Sequence, residues 1–339
     1  MTLAATLQVV ENYSGLELPD SQWIDLDGPV HYREWPGPSD GPTFLCVHGL
    51  GGSLLNWAGI APGLAKRGRV LAPDLVGFGL TPTEGRKADV GSNRKILNRF
   101  IGALDLPPVI LVGNSMGGKV SLIQAAHDPD TVNALILTDA VFPRARALKG
   151  QPHPQIALAF AFYSNRRLGE MIATSRARKL GAEGLVRETL RLCAPDPSLI
   201  DPKLVAALVE QAKERMEFDY ATAAFLEAAR SIFRSQVAPG KFRQLVRRIK
   251  APALVMHGAR DRLVPVVAAR EAAAEHDNWE LVVFPDLGHI PQMEAPDRWL
   301  ETVEAWLPVT SQQPFEARRA DQPAPAPEPR YREAYPSRR

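Results

Sequence analysis

The sequence predicts an α/β protein: a mostly parallel, eight-stranded sheet flanked by helices, with an all-helical segment inserted late in the chain. Three observations carry that expectation. Short, continuously apolar runs at residues 43–47, 70–72, 109–112 and 134–137 each end in glycine, aspartate or histidine, which suits parallel strands covered on both faces. Segments of helical length and pattern separate them, as right-handed crossovers require. The alternation then stops at Pro143 and resumes near Lys250.

Taken in order, residues 22–26 and 30–35 are joined by Asp27-Gly28-Pro29 and read as a hairpin. A helix is expected over 54–67 after the third strand, another over 93–103 before the fifth, and a third over 116–127 after it. Residues 143–235 hold no strand pattern but several helical ones, such as 204–216 and 221–234. The seventh and eighth strands fall at 253–256 and 281–284, with a helix over 266–275 between them and one over 297–306 behind. The expected organisation is a core of residues 1–142 and 236–308, a helical insertion over 143–235, and a tail over 309–339. That tail contains Pro323-Ala324-Pro325-Ala326-Pro327 and is too poor in apolar residues to offset its ordering entropy, so it is expected to be disordered.

Composition narrows the function. With 339 residues, of which 45% are hydrophobic, there is material for one large core. A net charge of +2 gives no reason to expect nucleic acid as a partner. Between Pro143 and Lys250, however, 20 basic residues stand against 10 acidic ones. That excess reads first as a solvated basic surface and second as a means of steering an anionic substrate. Two cysteines, Cys46 and Cys193, form neither a disulfide framework nor a metal cluster. Cys46 lies in the run Phe44-Leu45-Cys46-Val47 and reads as a small core residue. The first residues do not have the pattern of a secretory signal, and the longest apolar run, 156–163, is far too short to span a bilayer. A cytoplasmic protein without a transmembrane segment is expected.

The chemistry lies at strand ends. Gly113-Asn114-Ser115-Met116-Gly117-Gly118 sits where the fifth strand gives way to a helix. In that context G-x-S-x-G forms a nucleophile elbow, a strained turn that projects the serine above the sheet. The helix that follows aims free N–H groups at charge developing beside Ser115. After the third strand comes His48-Gly49-Leu50-Gly51-Gly52-Ser53, whose glycines let backbone approach an oxyanion. The N–H groups of Leu50 and Met116 are the expected oxyanion donors, and Ser53 reads also as a helix N-cap. After the seventh strand, Asp261 stands in His257-Gly258-Ala259-Arg260-Asp261-Arg262, where the two arginines are expected to hold it ionised. After the eighth, Leu287-Gly288-His289-Ile290-Pro291 offers a histidine whose two ring nitrogens would serve Ser115 and Asp261. Asp139, past the sixth strand on the same edge, is a second candidate for the acid.

These stretches, with PDLVGFG and GHIPQMEAP, make residues 22–307 resemble the α/β-hydrolase fold superfamily, in the branch with a helical cap after the sixth strand. The resemblance implies Ser115, Asp261 and His289 as catalytic triad, and a structural turn at Asp74, Gly77 and Gly79. Serine at position 115 argues against dehalogenases and epoxide hydrolases, which use a carboxylate nucleophile. It implies neither metal nor organic cofactor, and a small hydrophobic substrate. A carboxylesterase is the leading expectation, with apolar residues Ile156, Leu158, Phe160, Phe162 and Tyr163 lining an acyl pocket or packing the cap's own core. A C–C hydrolase of ring-cleavage products comes second. GNSMGG favours it, whereas Ile290-Pro291-Gln292-Met293 lacks the tryptophan usual after that family's histidine. A catalytically silent receptor or interaction module of the same fold is the third expectation.

Overall fold

The computed structural model describes residues 13, 15–146, 166–307 and 331–333. Its sheet runs β1 (Gln22–Asp25), β2 (Pro29–Trp35), β3 (Phe44–Val47), β4 (Val70–Pro73), β5 (Val109–Asn114), β6 (Val132–Thr138), β7 (Ala253–Gly258), β8 (Trp279–Phe284) and β9 (Tyr331–Glu333). Across the sheet the order is β1-β2-β4-β3-β5-β6-β7-β8-β9. The β1–β2 and β2–β4 pairs are antiparallel, and all the others are parallel. All eight expected strands are present, including the hairpin, whose turn takes Asp27 and Gly28 to positive φ.

β9 is an addition. The composition beyond residue 308 offers no core, yet Tyr331, Arg332 and Glu333 pair in parallel with Leu281, Val282 and Val283 of β8. An edge strand presents unpaired N–H and C=O groups, and a short extended segment can take them without contributing apolar surface. The rest of the Pro-rich segment lies outside the described residues, as does the apolar run 156–163.

The strands are apolar throughout because both faces are buried. Along β3, β5, β6 and β7, Leu45, Val47, Leu111, Leu135, Leu137 and Val255 enter one core. Their sequence neighbours Phe44, Cys46, Ile110, Val112, Ala134, Ile136, Leu254 and Met256 enter the other, following the two-residue period of the strand. The first face is covered by α2 (Val90–Ala103) and α3 (Met116–His127), the second partly by α1 (Ala61–Ala65). A single helix over 54–67 does not form. Instead a 3-10 turn at Leu54–Trp57 is followed by α1, with Pro62 in its first turn, since proline has no N–H to continue an earlier helix. Ser53 does cap that turn, accepting the Leu55 N–H at 3.3 Å.

Between β6 and β7 the described residues form helices: α4 (Arg166–Cys193, bent at Gly181), α5 (Pro202–Met216), α6 (Ala221–Val237) and α7 (Pro239–Val246). The core resumes with α8 (Val266–Ala274), α9 (Pro291–Glu294) and α10 (Pro296–Trp306). Among the described residues no helix is long and apolar enough to cross a membrane.

β3 lies between β4 and β5, so the chain leaves its carboxyl end in one direction and that of β5 in the other. Such a switch point opens a crevice at the carboxyl edge. Its near wall is the turn after β4, built on buried Asp74. That carboxylate accepts the Leu54 N–H at 2.8 Å, the Leu80 N–H at 2.9 Å and His31 Nδ1 at 2.8 Å. Burial alone would raise its pKa, but the hydrogen bond and charge of His31 outweigh burial and lower it. Gly79, at φ 50°, has no room for a side chain, since a Cβ would lie 1.9 Å from Asp74 Cγ.

Asp74→Asn keeps one acceptor oxygen where two N–H groups need one each. It is expected to lower unfolding free energy by about 2–4 kcal/mol in urea titration. Because Asp74 is held ionised, that difference should be full at neutral pH and shrink as pH falls through the carboxylate range. A change below about 0.5 kcal/mol at neutral pH would show that the turn does not depend on the carboxylate.

Candidate active site

Ser115 is the first residue after β5 and the N-cap of α3, with φ 54° and ψ −115°. That left-handed conformation is rare for a residue with a Cβ, and neighbouring chain imposes it. The Ser115 N–H donates to Thr138 O at 3.1 Å, and its carbonyl accepts the Val141 N–H at 3.0 Å. Helix α3 starts tightly against β3: a Cβ on Gly117 would fall 1.9 Å from Val47 O. The strained strand-to-helix turn expected at Ser115 is therefore present, held by the chain on both sides.

The loop after β3 lies beside it, so close that a Cβ on Gly49 would come within 3.1 Å of Ser115 Cβ. Its shape is fixed by His48, whose Nδ1 meets Gly49 O at 2.8 Å and whose Nε2 meets the Leu75 N–H at 3.0 Å. The carbonyl needs a donor and the N–H an acceptor, so the ring is neutral with its hydrogen on Nδ1. Burial, which lowers the His48 pKa, agrees. Leu50 sits on this loop, and Met116 is the first residue of α3, where helix geometry leaves the N–H without an intrahelical acceptor.

His289 Nδ1 lies 2.7 Å from Asp261 Oδ2. Asp261 Oδ1 accepts the Leu263 and Val264 N–H groups at 2.7 and 3.1 Å. Of the two aspartates considered, Asp261 touches His289, while Asp139 accepts the Gly258 N–H at 3.0 Å. The flanking arginines are not what ionises Asp261. Burial pushes its carboxyl up, and the charge and hydrogen bond of His289 bring it below the usual value. Arg262 instead reaches Arg191 O at 3.4 Å. Ser115 and His289 make no direct hydrogen bond here, although Asn114 ties their backbones together, its Nδ2 donating to Thr138 O at 3.0 Å and to His289 O at 3.1 Å.

Three residues that hold the histidine were not singled out in the sequence. Asn114 is the first. The second is Glu294, whose carboxylate accepts the Gly288 N–H at 3.0 and 3.1 Å and the Ile290 N–H at 3.2 Å. The third is Cys193, the last residue of α4, whose carbonyl accepts the His289 N–H at 2.7 Å. Three consecutive N–H groups are thus bound, two by one side chain and one by the inserted helices. A lone acid within the otherwise uncharged, proline-bounded run Pro291-Gln292-Met293-Glu294-Ala295-Pro296 was the available signal for Glu294.

With this geometry in hand, comparison with known proteins gives the class. The alpha/beta hydrolase fold family matches residues 42–296, and the chain belongs to that family. Among curated relatives, it is 29% identical over 277 residues to the 2-hydroxymuconate semialdehyde hydrolase of Pseudomonas sp. (strain CF600), covering 79% of this chain and 87% of that one. It is 30% identical over 271 residues to the 2-hydroxy-6-oxo-2,4-heptadienoate hydrolase of Pseudomonas putida (strain ATCC 700007 / DSM 6899 / JCM 31910 / BCRC 17059 / LMG 24140 / F1), covering 79% and 89%. Among solved structures, Cfl2 from Burkholderia cenocepacia superposes with TM-score 0.72 at 22% identity, covering 86% of this chain and 97% of that one.

Burial raises the Glu294 pKa from 4.5 to about 7, against the opposing hydrogen bonds from Gly288 and Ile290. Between those values the folded chain keeps a proton that the unfolded chain has lost, so this group's contribution to stability declines as pH rises through the interval. Glu294→Gln cannot titrate. Relative to wild type, its stability should rise by on the order of 2 kcal/mol between pH 5 and 8, read from urea midpoints. A difference that stays constant across the interval would show that Glu294 does not titrate there.

Proposed function

We propose that the protein is a serine hydrolase in which Ser115 attacks a carbonyl carbon, His289 is general base and acid, and Asp261 orients His289. The observation that carries this reading is the 2.7 Å contact of His289 Nδ1 with Asp261 Oδ2, on the same sheet edge as the strained Ser115 elbow. Donation of Nδ1–H to the carboxylate leaves Nε2 with its lone pair, the form a general base needs. The N–H groups of Leu50 and Met116 are the donors for the tetrahedral oxyanion. The leaving group departs with the proton from His289, and water activated by the same ring then releases the acyl group from Ser115. This chemistry needs no metal or organic cofactor.

The inserted helices form a cap over this site. Phe225 of α6 lies against Gly51 and Ala224 against Gly77, and Arg215 of α5 donates to Gly77 O and Gly79 O at 2.9 Å. All three glycines belong to loops at the carboxyl ends of β3 and β4. A small, largely hydrophobic substrate suits a crevice so enclosed, in a protein expected to be cytoplasmic.

For the bond cleaved, a carboxylic ester is the first reading. The turn after His289 supports it: Ile290 and Met293 point into the core, and the turn carries no tryptophan. Cleavage of a C–C bond in a ring-cleavage product is the second reading, favoured by the names of the two Pseudomonas relatives.

Ser115→Ala should fold as wild type and lose about 10⁴-fold or more in kcat. The assay is a panel of p-nitrophenyl esters of increasing chain length, run beside a 2-hydroxy-6-oxo-dienoate. Turnover of the dienoate at a kcat/KM far above that of every ester would replace the first reading with the second. Retention of most activity by the alanine variant on its best substrate would end both.

A further inference from the structure

The ends of β6 and β7 bring a second carboxyl group against Asp261. Asp139 follows β6 at φ 46° and is wholly buried. Its Oδ1 accepts the Gly258 N–H, whereas its Oδ2 has no hydrogen-bond partner among the described residues. The titratable groups around it are Asp261, His257, Glu294 and the Cys193 thiol. His257 Nε2 is 3.4 Å from Asp139 Oδ1 and 3.5 Å from Asp261 Oδ2. Its hydrogen nonetheless goes to Val264 O at 2.9 Å, and its buried Nδ1 has no partner. Burial favours the neutral ring, so His257 brings no full positive charge to the two acids.

An ionised Asp139 would leave one carboxylate oxygen bare in the core, beside a second carboxylate. Each of those conditions is strongly unfavourable. One proton on Asp139 relieves both, provided it has an acceptor. Asp261 supplies one: a carboxylate accepts about four hydrogen bonds, and Leu263, Val264 and His289 occupy three of the places. We propose that Asp139 is a neutral carboxylic acid that donates its hydrogen to the Asp261 carboxylate, so that an acid pair, rather than a lone aspartate, orients His289. Burial first, and the charge of Asp261 second, push the Asp139 carboxyl well above the usual range, in keeping with that geometry.

A cation is the rival occupant, since ligand atoms of Asp139, His257 and Asp261 lie within 4.8 Å of one another. The proton fits better. Asp261 is already committed to His289, and the His257 nitrogen nearest both acids carries its hydrogen toward Val264. The consequence for catalysis rests on the triad reading; the protonation state does not. Asp139 acts here as a positioning residue, drawing charge from Asp261 and weakening its pull on the His289 proton.

Asp139→Asn retains a donor and suits positive φ, whereas Asp139→Ala loses the donor. The infrared difference between wild type and Asp139→Asn at pH about 9, above the ordinary carboxyl range, should contain the C=O band of a buried protonated acid. Its absence overturns the proposal. The same comparison in a Ser115→Ala background should give the same band, so failure of the triad assignment is seen separately. In kcat/KM profiles the acid limb should move up by about one pH unit in Asp139→Ala and stay near wild type in Asp139→Asn. A downward shift in both variants would mean an ionised Asp139 and overturn the proposal. Loss of wild-type activity on chelation, restored by a divalent cation, would overturn it in favour of a metal.

Discussion

Everything at the carboxyl edge depends on the turn at Ser115. A non-glycine residue at φ 54° is held at a cost of about 1–3 kcal/mol, and the surrounding sheet must supply that energy. It does so through hydrogen bonds from the Ser115 N–H to Thr138 O and from the Val141 N–H to Ser115 O, and through packing that leaves Gly117 no room beyond the Val47 carbonyl. β3, β5 and β6 must therefore all be in register before the serine can stand where it does. The same registry brings the loop after β3 against the serine, so the strained serine and the candidate oxyanion donors come from one packing event.

Burial of charge at this edge follows a consistent rule. Asp74 stays ionised because His31 and two backbone N–H groups meet it. Asp261 stays ionised because His289 and two others do. Glu294 has backbone donors, but His289 reaches it only as a charge, and burial raises its pKa to about 7. Asp139, with one donor and a carboxylate beside it, is pushed well above the usual carboxylate range. Donor count and the nearest charge, rather than depth alone, decide which acid holds its proton.

The fold was legible in the sequence because every central strand is buried on both faces, which writes a continuous apolar run closed by a turn residue. The candidate triad was legible for a related reason: its members each lie in the short loop or turn that closes such a run. What could not be read were interactions formed only after folding. Pro62 splits the helix expected over 54–67 because the backbone, not apolar periodicity, decides there. Arg260 and Arg262 look like partners of Asp261 in sequence, yet the loop turns the acid inward to His289. Asn114, Glu294 and the Cys193 carbonyl have no local pattern that names His289 as their target. Tyr331–Glu333 pairs with β8 along the sheet edge, which composition does not encode.

The inserted helices are joined to the core in a way that bears on specificity. Leu190, Leu204 and Ala207 belong to one sheet core and Ala224, Ala228 and Ile232 to the other. Arg215, half-buried and with its pKa lowered by desolvation, gives its hydrogen bonds to the carbonyls of the Asp74 turn. Most directly, the last carbonyl of α4 binds the His289 N–H, and a Cβ on Gly288 would fall 2.1 Å from that oxygen. A displacement of α4 cannot occur without moving the histidine backbone or breaking that bond. On the proposed reading, binding energy gathered by the helices would act on the same atoms that set the distance from His289 to Ser115, and a substitution in α4 would change turnover as well as substrate preference.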